Sequence, residues 1–466
     1  MPEAADRQRL PLATRTIGWP VVVVLAALTV VVVIWHLEVI PIHDRFYGLF
    51  NNATDLRVYR AGARTVLDDQ PLYRAPMLWG LQFTYPPFSA LTFIPAALVD
   101  DQTARILWWL ATFAALVAVV LMGFRSLGYR VNARLISLAV LFGVCTTALE
   151  PVRTTFWLGQ INIFLMFLVV ADLVYCDLRR PASRLRGIGV GIAAGLKLTP
   201  AFFVVYLAAM RRWRAAAVAV AAFAGTVLIG FLVIPGDSRD YWVDYLGSAG
   251  RVGRVDSPAN QSINGFISQL LAYFDIRRFA DPSPTGPVFA APAWLWVPVA
   301  VVAALLGLWA AAIAYRRGWR LLSVTIAGMT AAVVSPFSWG HHWVWLVPLL
   351  VVAFDYAYRG SRDSLRGWAR WLLPAGIVLL SFTWWWNWFG VPRLTSDHAM
   401  ALGLFMMPRW PDPEWFDYPA VVLYSGCYPL ILLLTVVITL VADRRTRRRH
   451  AVGDTVDEPA PGSLQA

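Results

Sequence analysis

At 466 residues, with 58% hydrophobic and 14% aromatic side chains and only 15% charged ones, the chain carries far more apolar sequence than one soluble core can bury. Composition therefore excludes a soluble globular domain and points to a polytopic membrane protein. The formal net charge of +12 comes from arginines gathered in short segments between apolar runs, which marks membrane topology and attraction to anionic lipid rather than a nucleic-acid surface.

Hydrocarbon offers no water to satisfy backbone groups, and the apolar runs lack the ten-residue alternation of a barrel strand, so the fold class is all-α. Arg7, Arg9 and Arg15 place the amino terminus on the cytoplasmic side, and the first predicted span, 17–40, delivers Asp55 to the outside. That run is too long for a signal peptide and lacks a small-residue cleavage site. Further spans are predicted near 103–123, 134–150, 161–177, 213–234, 291–314, 321–337, 342–358, 371–389 and 419–441, giving roughly ten full crossings. The arginine clusters at 125–134, 179–186, 211–214, 316–320, 359–370 and 444–449 then all face the cytoplasm, with the carboxyl terminus.

Two stretches do not fit as crossings. Tyr85 to Val99 is too short and reads as a re-entrant, juxtamembrane helix on the outer face. Gly187 to Met210 has arginines at both ends and is broken at Gly195-Leu196-Lys197-Leu198-Thr199-Pro200; it reads as a hairpin of two short helices, because Pro200 disfavours helical geometry at Thr199. A single transmembrane domain thus covers 1–449, with outer segments at about 41–102, 235–290 and 387–418 forming a substrate vestibule, and the apolar-poor stretch 450–466 reads as a disordered cytoplasmic tail. No internal repeat is visible, and no Walker loop, Gly-x-Gly-x-x-Gly in a β-α-β context, Asp-x-Asp or Gly-x-Ser-x-Gly occurs to support nucleotide-dependent or serine chemistry.

Four clusters can reach the outer side. Asp55 is either an interfacial acid paired with Arg57 or Arg60, or a general base able to take a proton from a sugar hydroxyl. Phe83-Thr84-Tyr85-Pro86-Pro87-Phe88 presents rings at headgroup level and fixes an extended lead into the next helix. Lys197 is the lone lysine in a chain that otherwise uses arginine, a compact charge inside an apolar hairpin that needs a cavity, a lipid phosphate or an interface. Ser335-Pro336-Phe337-Ser338-Trp339-Gly340-His341-His342-Trp343 turns between two spans; adjacent histidines diverge by about 100°, so one of the two can aim squarely at a given site, and metal ligation by both is disfavoured.

Taken with Asp55-Leu56-Arg57-Val58-Tyr59, Gly62, Pro71-Leu72-Tyr73, and Asn260-Gln261-Ser262-Ile263-Asn264-Gly265, these motifs resemble the pattern of glycosyltransferase family 87, in order and across most of the chain. That family holds the actinobacterial polyprenyl-phosphomannose-dependent α-1,2-mannosyltransferases. The resemblance implies a GT-C type bundle in the plasma membrane, with its active site on the periplasmic face. Its donor would be polyprenyl-phosphate mannose and its acceptor a mannolipid such as a phosphatidylinositol mannoside or lipomannan. It assigns Asp55 as the catalytic carboxylate and one of His341 and His342 to the donor site. The residues themselves add Lys197 and Arg57 as further phosphate-binding candidates and Tyr59, Tyr85, Asn260, Gln261, Asn264 and Trp339 as substrate-binding candidates.

An inverting displacement needs one base and positive charge or dipoles for the leaving phosphate, so no metal and no other cofactor is expected. Arg153 and Arg251 or Arg254 are also available to that phosphate. The competing readings are a flippase or transporter of lipid-linked sugar, which would favour internal repeats and midplane charges, and a GT-C transferase for another lipid-linked sugar.

Overall fold

The computed structural model describes residues 13–456 except 41, 43, 45–46, 180–182, 248–252, 285, 362–364, 388–399, 408–413 and 416. Helix α1 (Trp19–Glu38) is a twenty-residue run of chiefly Val, Leu, Ile and Ala, about 30 Å by helical rise, and its Val23, Val24, Val30 and Val31 face outward as lipid-facing residues do. Three non-spanning pieces follow: α2 (Thr54–Leu67), α3 (Pro87–Thr92), which begins on a proline preset for the first helical turn, and α4 (Ile94–Ala97). The long helix α5 (Asp101–Ser126) has a capped start, where Asp100 accepts from the Thr103 amide at 2.9 Å. Asn132 caps α6 (Ala133–Thr146) in the same way.

Next come α7 (Glu150–Leu158), α8 (Asn162–Val170) continuing through a π-turn at Ala171–Cys176, and the single turn α9 (Asp177–Arg179). The expected hairpin at 187–210 is α10 (Ile188–Leu196) and α11 (Phe202–Ala209), with Lys197 extended between them. Then follow α12 (Trp213–Val233), α13 (Pro235–Arg239), α14 (Ile263–Tyr273), α15 (Ala293–Arg316), α16 (Arg320–Val334), α17 (Leu346–Ser361), α18 (Leu372–Ser381), α19 (Asp417–Ser425) and α20 (Cys427–Val456). Two short antiparallel ribbons pair β1 (Ala280–Asp281) with β2 (Val288–Phe289) and β3 (Trp385–Asn387) with β4 (Met400–Leu402).

Helix α16 is the centre of the bundle: nearly every residue from Leu321 to Val333 is buried, against α11, α15, α17 and α20. Gly307 of α15 meets Thr330 of α16 so closely that a Cβ there would collide, the small-residue contact through which membrane helices gain packing that lipid does not offer.

Among the described residues, α1, α5, α12, α15 and α20 are long and apolar enough to cross, and α7 with α8 would make a sixth span bent by 119°. This is fewer than the roughly ten full crossings expected. The predicted spans 134–150, 321–337 and 371–389 coincide with shorter helices, and 161–177 begins at the bend. Polar backbone at such breaks is tolerated because it is buried in protein or lines a cavity. Helix α20 runs on to Val456, into the segment read as tail, and 457–466 lie outside the described residues.

Candidate functional site

The first turn of α2 is built by long-range contacts. Ala53 adopts a left-handed φ of +47° and donates its amide to the Trp157 carbonyl at 2.8 Å, while the Asn52 side chain accepts from the Thr54 amide at 2.9 Å. Gly159, at φ +67°, closes α7; a Cβ there would stand 2.8 Å from Leu56 Cβ, so a glycine is what lets the end of α7 press on α2. The result is that Asp55 meets Gln160, whose Nε2 donates to Asp55 Oδ2.

Gln160 is itself held, its Oε1 accepting from the Tyr59 hydroxyl at 2.9 Å and the Tyr85 hydroxyl at 3.3 Å. Burial pushes the Asp55 carboxyl up to about 6; the Gln160 hydrogen bond and the Lys197 ammonium pull it the other way. Asp55 therefore does not pair with Arg57 or Arg60. Both arginines, with Arg105, bind Asp101, at 3.3, 2.6 and 3.1 Å, and Arg60 also donates to the carbonyls of Ala96 and Val99.

Asp55 opens onto a cavity of about 1080 Å³. Across it, Lys197 Nζ donates to Asn162 Oδ1 and to His342 Nε2, each at 3.0 Å, and lies 5.3 Å from the Tyr85 ring centre. Asn162 in turn donates to the His341 carbonyl at 2.9 Å, tying the 3₁₀ turn Gly340–Trp343 to the bend between α7 and α8. Both histidines line the cavity; burial first, and then the Lys197 ammonium, hold both well below the usual imidazole range. Burial disfavours the charged form of both imidazoles, which are left to bring hydrogen bonds; it also lowers the Lys197 ammonium, to about 7, with Asp55 holding the charge against it.

The predicted residues divide into two sets. Asp55, Tyr85, Lys197, Trp339, His341 and His342 share the cavity, whereas Tyr59 is fully buried behind Tyr85, and Arg57 points to Asp101. Asn260 and Gln261 are fully buried too: Asn260 Oδ1 accepts from the Ser338 amide at 2.9 Å and the Ser262 hydroxyl at 2.9 Å, and the Gln261 amide donates to the Ser338 carbonyl at 2.7 Å. Asn264 donates to the Pro336 carbonyl at 3.3 Å. These three therefore brace the histidine loop.

Of the other phosphate candidates, Arg153 is fully buried and donates to the Tyr47 carbonyl at 2.6 Å, Arg254 pairs with Asp256 at 3.0 Å, and Arg251 lies outside the described residues, as does much of 387–418. Among the described residues, no group of three or more His, Cys, Asp or Glu side chains has a metal-holding arrangement. Sequence reasoning missed Gln160 and Asn162. Their available signal was the pattern Gly159-Gln160-Ile161-Asn162, two amides after a glycine at the head of an apolar run.

A sequence profile described as Glycosyltransferase family 87 matches residues 83–336. The chain is 37% identical over 340 residues, 71% of its own length and 74% of the relative's, to a polyprenol-phosphate-mannose-dependent alpha-(1-2)-phosphatidylinositol pentamannoside mannosyltransferase of Mycobacterium tuberculosis. It is 34% identical over 377 residues, 77% of this chain and 86% of the relative, to a protein of the same description from Mycolicibacterium smegmatis. It is 32% identical over 395 residues, 79% and 82%, to an alpha-(1-2)-phosphatidylinositol mannoside mannosyltransferase from that organism, also polyprenol-phosphate-mannose-dependent. No solved structure matches the chain.

Proposed function

Since the chain belongs to glycosyltransferase family 87, we propose that it transfers mannose from polyprenyl-phosphate mannose to a phosphatidylinositol mannoside or related mannolipid, forming an α-1,2 linkage on the outer face of the plasma membrane. The observation that carries this reading is the Asp55 carboxylate lining the same cavity as the Lys197 ammonium and two imidazoles. The acceptor hydroxyl oxygen bonds to the anomeric carbon as the bond from that carbon to the phosphate oxygen breaks, and the hydroxyl proton passes to Asp55. One displacement inverts a β-linked donor to an α product. Lys197 and the two imidazoles receive the departing polyprenyl phosphate, which is already a stable anion and needs no proton.

Charge supports the outward orientation. Arg15 with Asp355 and Arg359, Arg212 with Asp177, and Arg317 with Asp443 join the starts and ends of spanning helices at one pole, while Asp55, His341 and His342 belong to the segments at the other. The positive-inside tendency favours the arginine pole, with both termini, on the cytoplasmic side. Membranes carrying the chain are expected to move labelled mannose from the polyprenyl donor onto the mannolipid, and Asp55→Asn to lower kcat by about 100-fold or more. Label that crosses the membrane still attached to its prenyl phosphate, with no new glycosidic bond, would sink the reading in favour of a flippase.

A further inference from the structure

The cavity has a second carboxylate that the chemistry above does not use. Helix α7 turns one stripe toward the cavity, with Glu150 at its start and Thr154 and Trp157 at four- and seven-residue spacing, and Gln160 beyond its end. Glu150 and Leu158 are about 12 Å apart by helical rise, so the Glu150 end of the stripe is well removed from Asp55, which meets Gln160 at the other end. Glu150 lines the same cavity at the far end of that stripe, so a sugar chain filling the cavity beside the attacked hydroxyl would meet it.

Three features make this a binding site. Glu150 is only 3% exposed, yet among the described residues it enters no ion pair; one oxygen accepts from Thr154 Oγ1 and the other from the Tyr428 hydroxyl, each at 2.7 Å. A carboxylate offers about four lone-pair sites, so capacity remains for further hydroxyl donors. Gly340 passes directly over it, since a Cβ at that position would collide with both carboxylate oxygens. Trp157 and Trp339 line the cavity as well, offering flat apolar faces to the C–H side of a pyranose ring. The Glu150 oxygens accept from hydroxyl donors, which a sugar supplies and a phosphate diester does not.

We infer that Glu150 binds the acceptor sugar preceding the one that is attacked, so that the enzyme favours oligomannoside over monomannoside acceptors. The inference rests on the mannosyl-transfer reading above. The test uses the full chain in membranes, polyprenyl-phosphate mannose as donor, and synthetic alkyl mono-, di- and trimannosides as acceptors. For Glu150→Gln, the ratio of kcat/KM on the trimannoside to kcat/KM on the monomannoside should fall about tenfold, mostly through the KM of the longer acceptor.

An equal loss on all three acceptors would make Glu150 a prop for the Gly340 turn and overturn the inference, as would an unchanged ratio. If Glu150→Gln does not accumulate, Glu150→Asp keeps the charge, withdraws the oxygens by one carbon, and should lower the same ratio. A wild-type chain that glycosylates none of the acceptors while its donor is intact would instead refute the mannosyl-transfer reading itself.

Discussion

Gln160 engages one oxygen of Asp55 and leaves Oδ1 without a protein donor among the described residues, so the carboxylate reaches the cavity with a fixed orientation and, in the role proposed for it, one oxygen ready for an incoming hydroxyl. Its protonation sets the pH response. In the proposed role Asp55 works as a base only when ionised, and its carboxyl is raised to about 6, so kcat should fall close to tenfold per pH unit below that value, and fall again above about 7, where burial lets the Lys197 ammonium lose its proton. Gln160, Tyr85, Tyr59 and Lys197 are the polar groups around it, and of these Lys197 supplies the charge that pulls the carboxyl down. Lys197→Met should therefore move the acid limb of the profile to higher pH, whatever it does to the height of the plateau. A limb that stays put or moves down would show that the ammonium does not act on Asp55.

At the scale of elements, the turn that carries both histidines is irregular backbone held in a buried place, and such backbone needs partners for its amides and carbonyls. The Asn260 to Asn264 segment supplies them. Asn260→Ala removes an acceptor for the Ser338 amide and a donor to the Val255 carbonyl, and should cost about 1–3 kcal/mol, read as a lower melting temperature together with reduced kcat. Unchanged melting would mean that the side chain is free to meet sugar, as its composition alone suggested.

The same segment shows where the sequence was legible. Asp55, Lys197, His341 and His342 stand out because each is a costly polar group beside apolar sequence, and the fold brings them to one cavity. The role of Asn260 was not legible, since an asparagine facing sugar and an asparagine facing a neighbouring loop look identical in one dimension. Gln160 was hidden because its contact with Asp55 joins residues 105 apart, and because the glycine and amides at 159–162 mark a break without telling that the chain turns there by 119°. Hydropathy located the long helices well. It overcounted full crossings where helices such as α6, of 14 residues, and α16, of 15, sit among other helices and need not match the bilayer thickness alone.

For the whole molecule, orientation can be measured directly. In a variant whose three native cysteines are replaced by alanine, Trp79→Cys, at an exposed turn before α3, should react with a membrane-impermeant maleimide on intact cells, whereas Arg316→Cys, exposed at the end of α15, should react only after lysis. The reverse pattern would turn the site toward the cytoplasm and remove its access to an outer-face acceptor.

The clamp of three arginines on Asp101 gives this orientation a further meaning. Asp101 opens α5, a helix that crosses the bilayer, and through Arg57 and Arg60 it grips α2, the carrier of Asp55. On the proposed mechanism the attacking geometry is thereby referenced to the lipid surface as well as to the protein, with the proton acceptor at a set height above the hydrocarbon. Only those hydroxyls that an anchored glycolipid holds at that level come within its reach, which makes the bilayer itself part of the gauge by which one sugar is distinguished from the next.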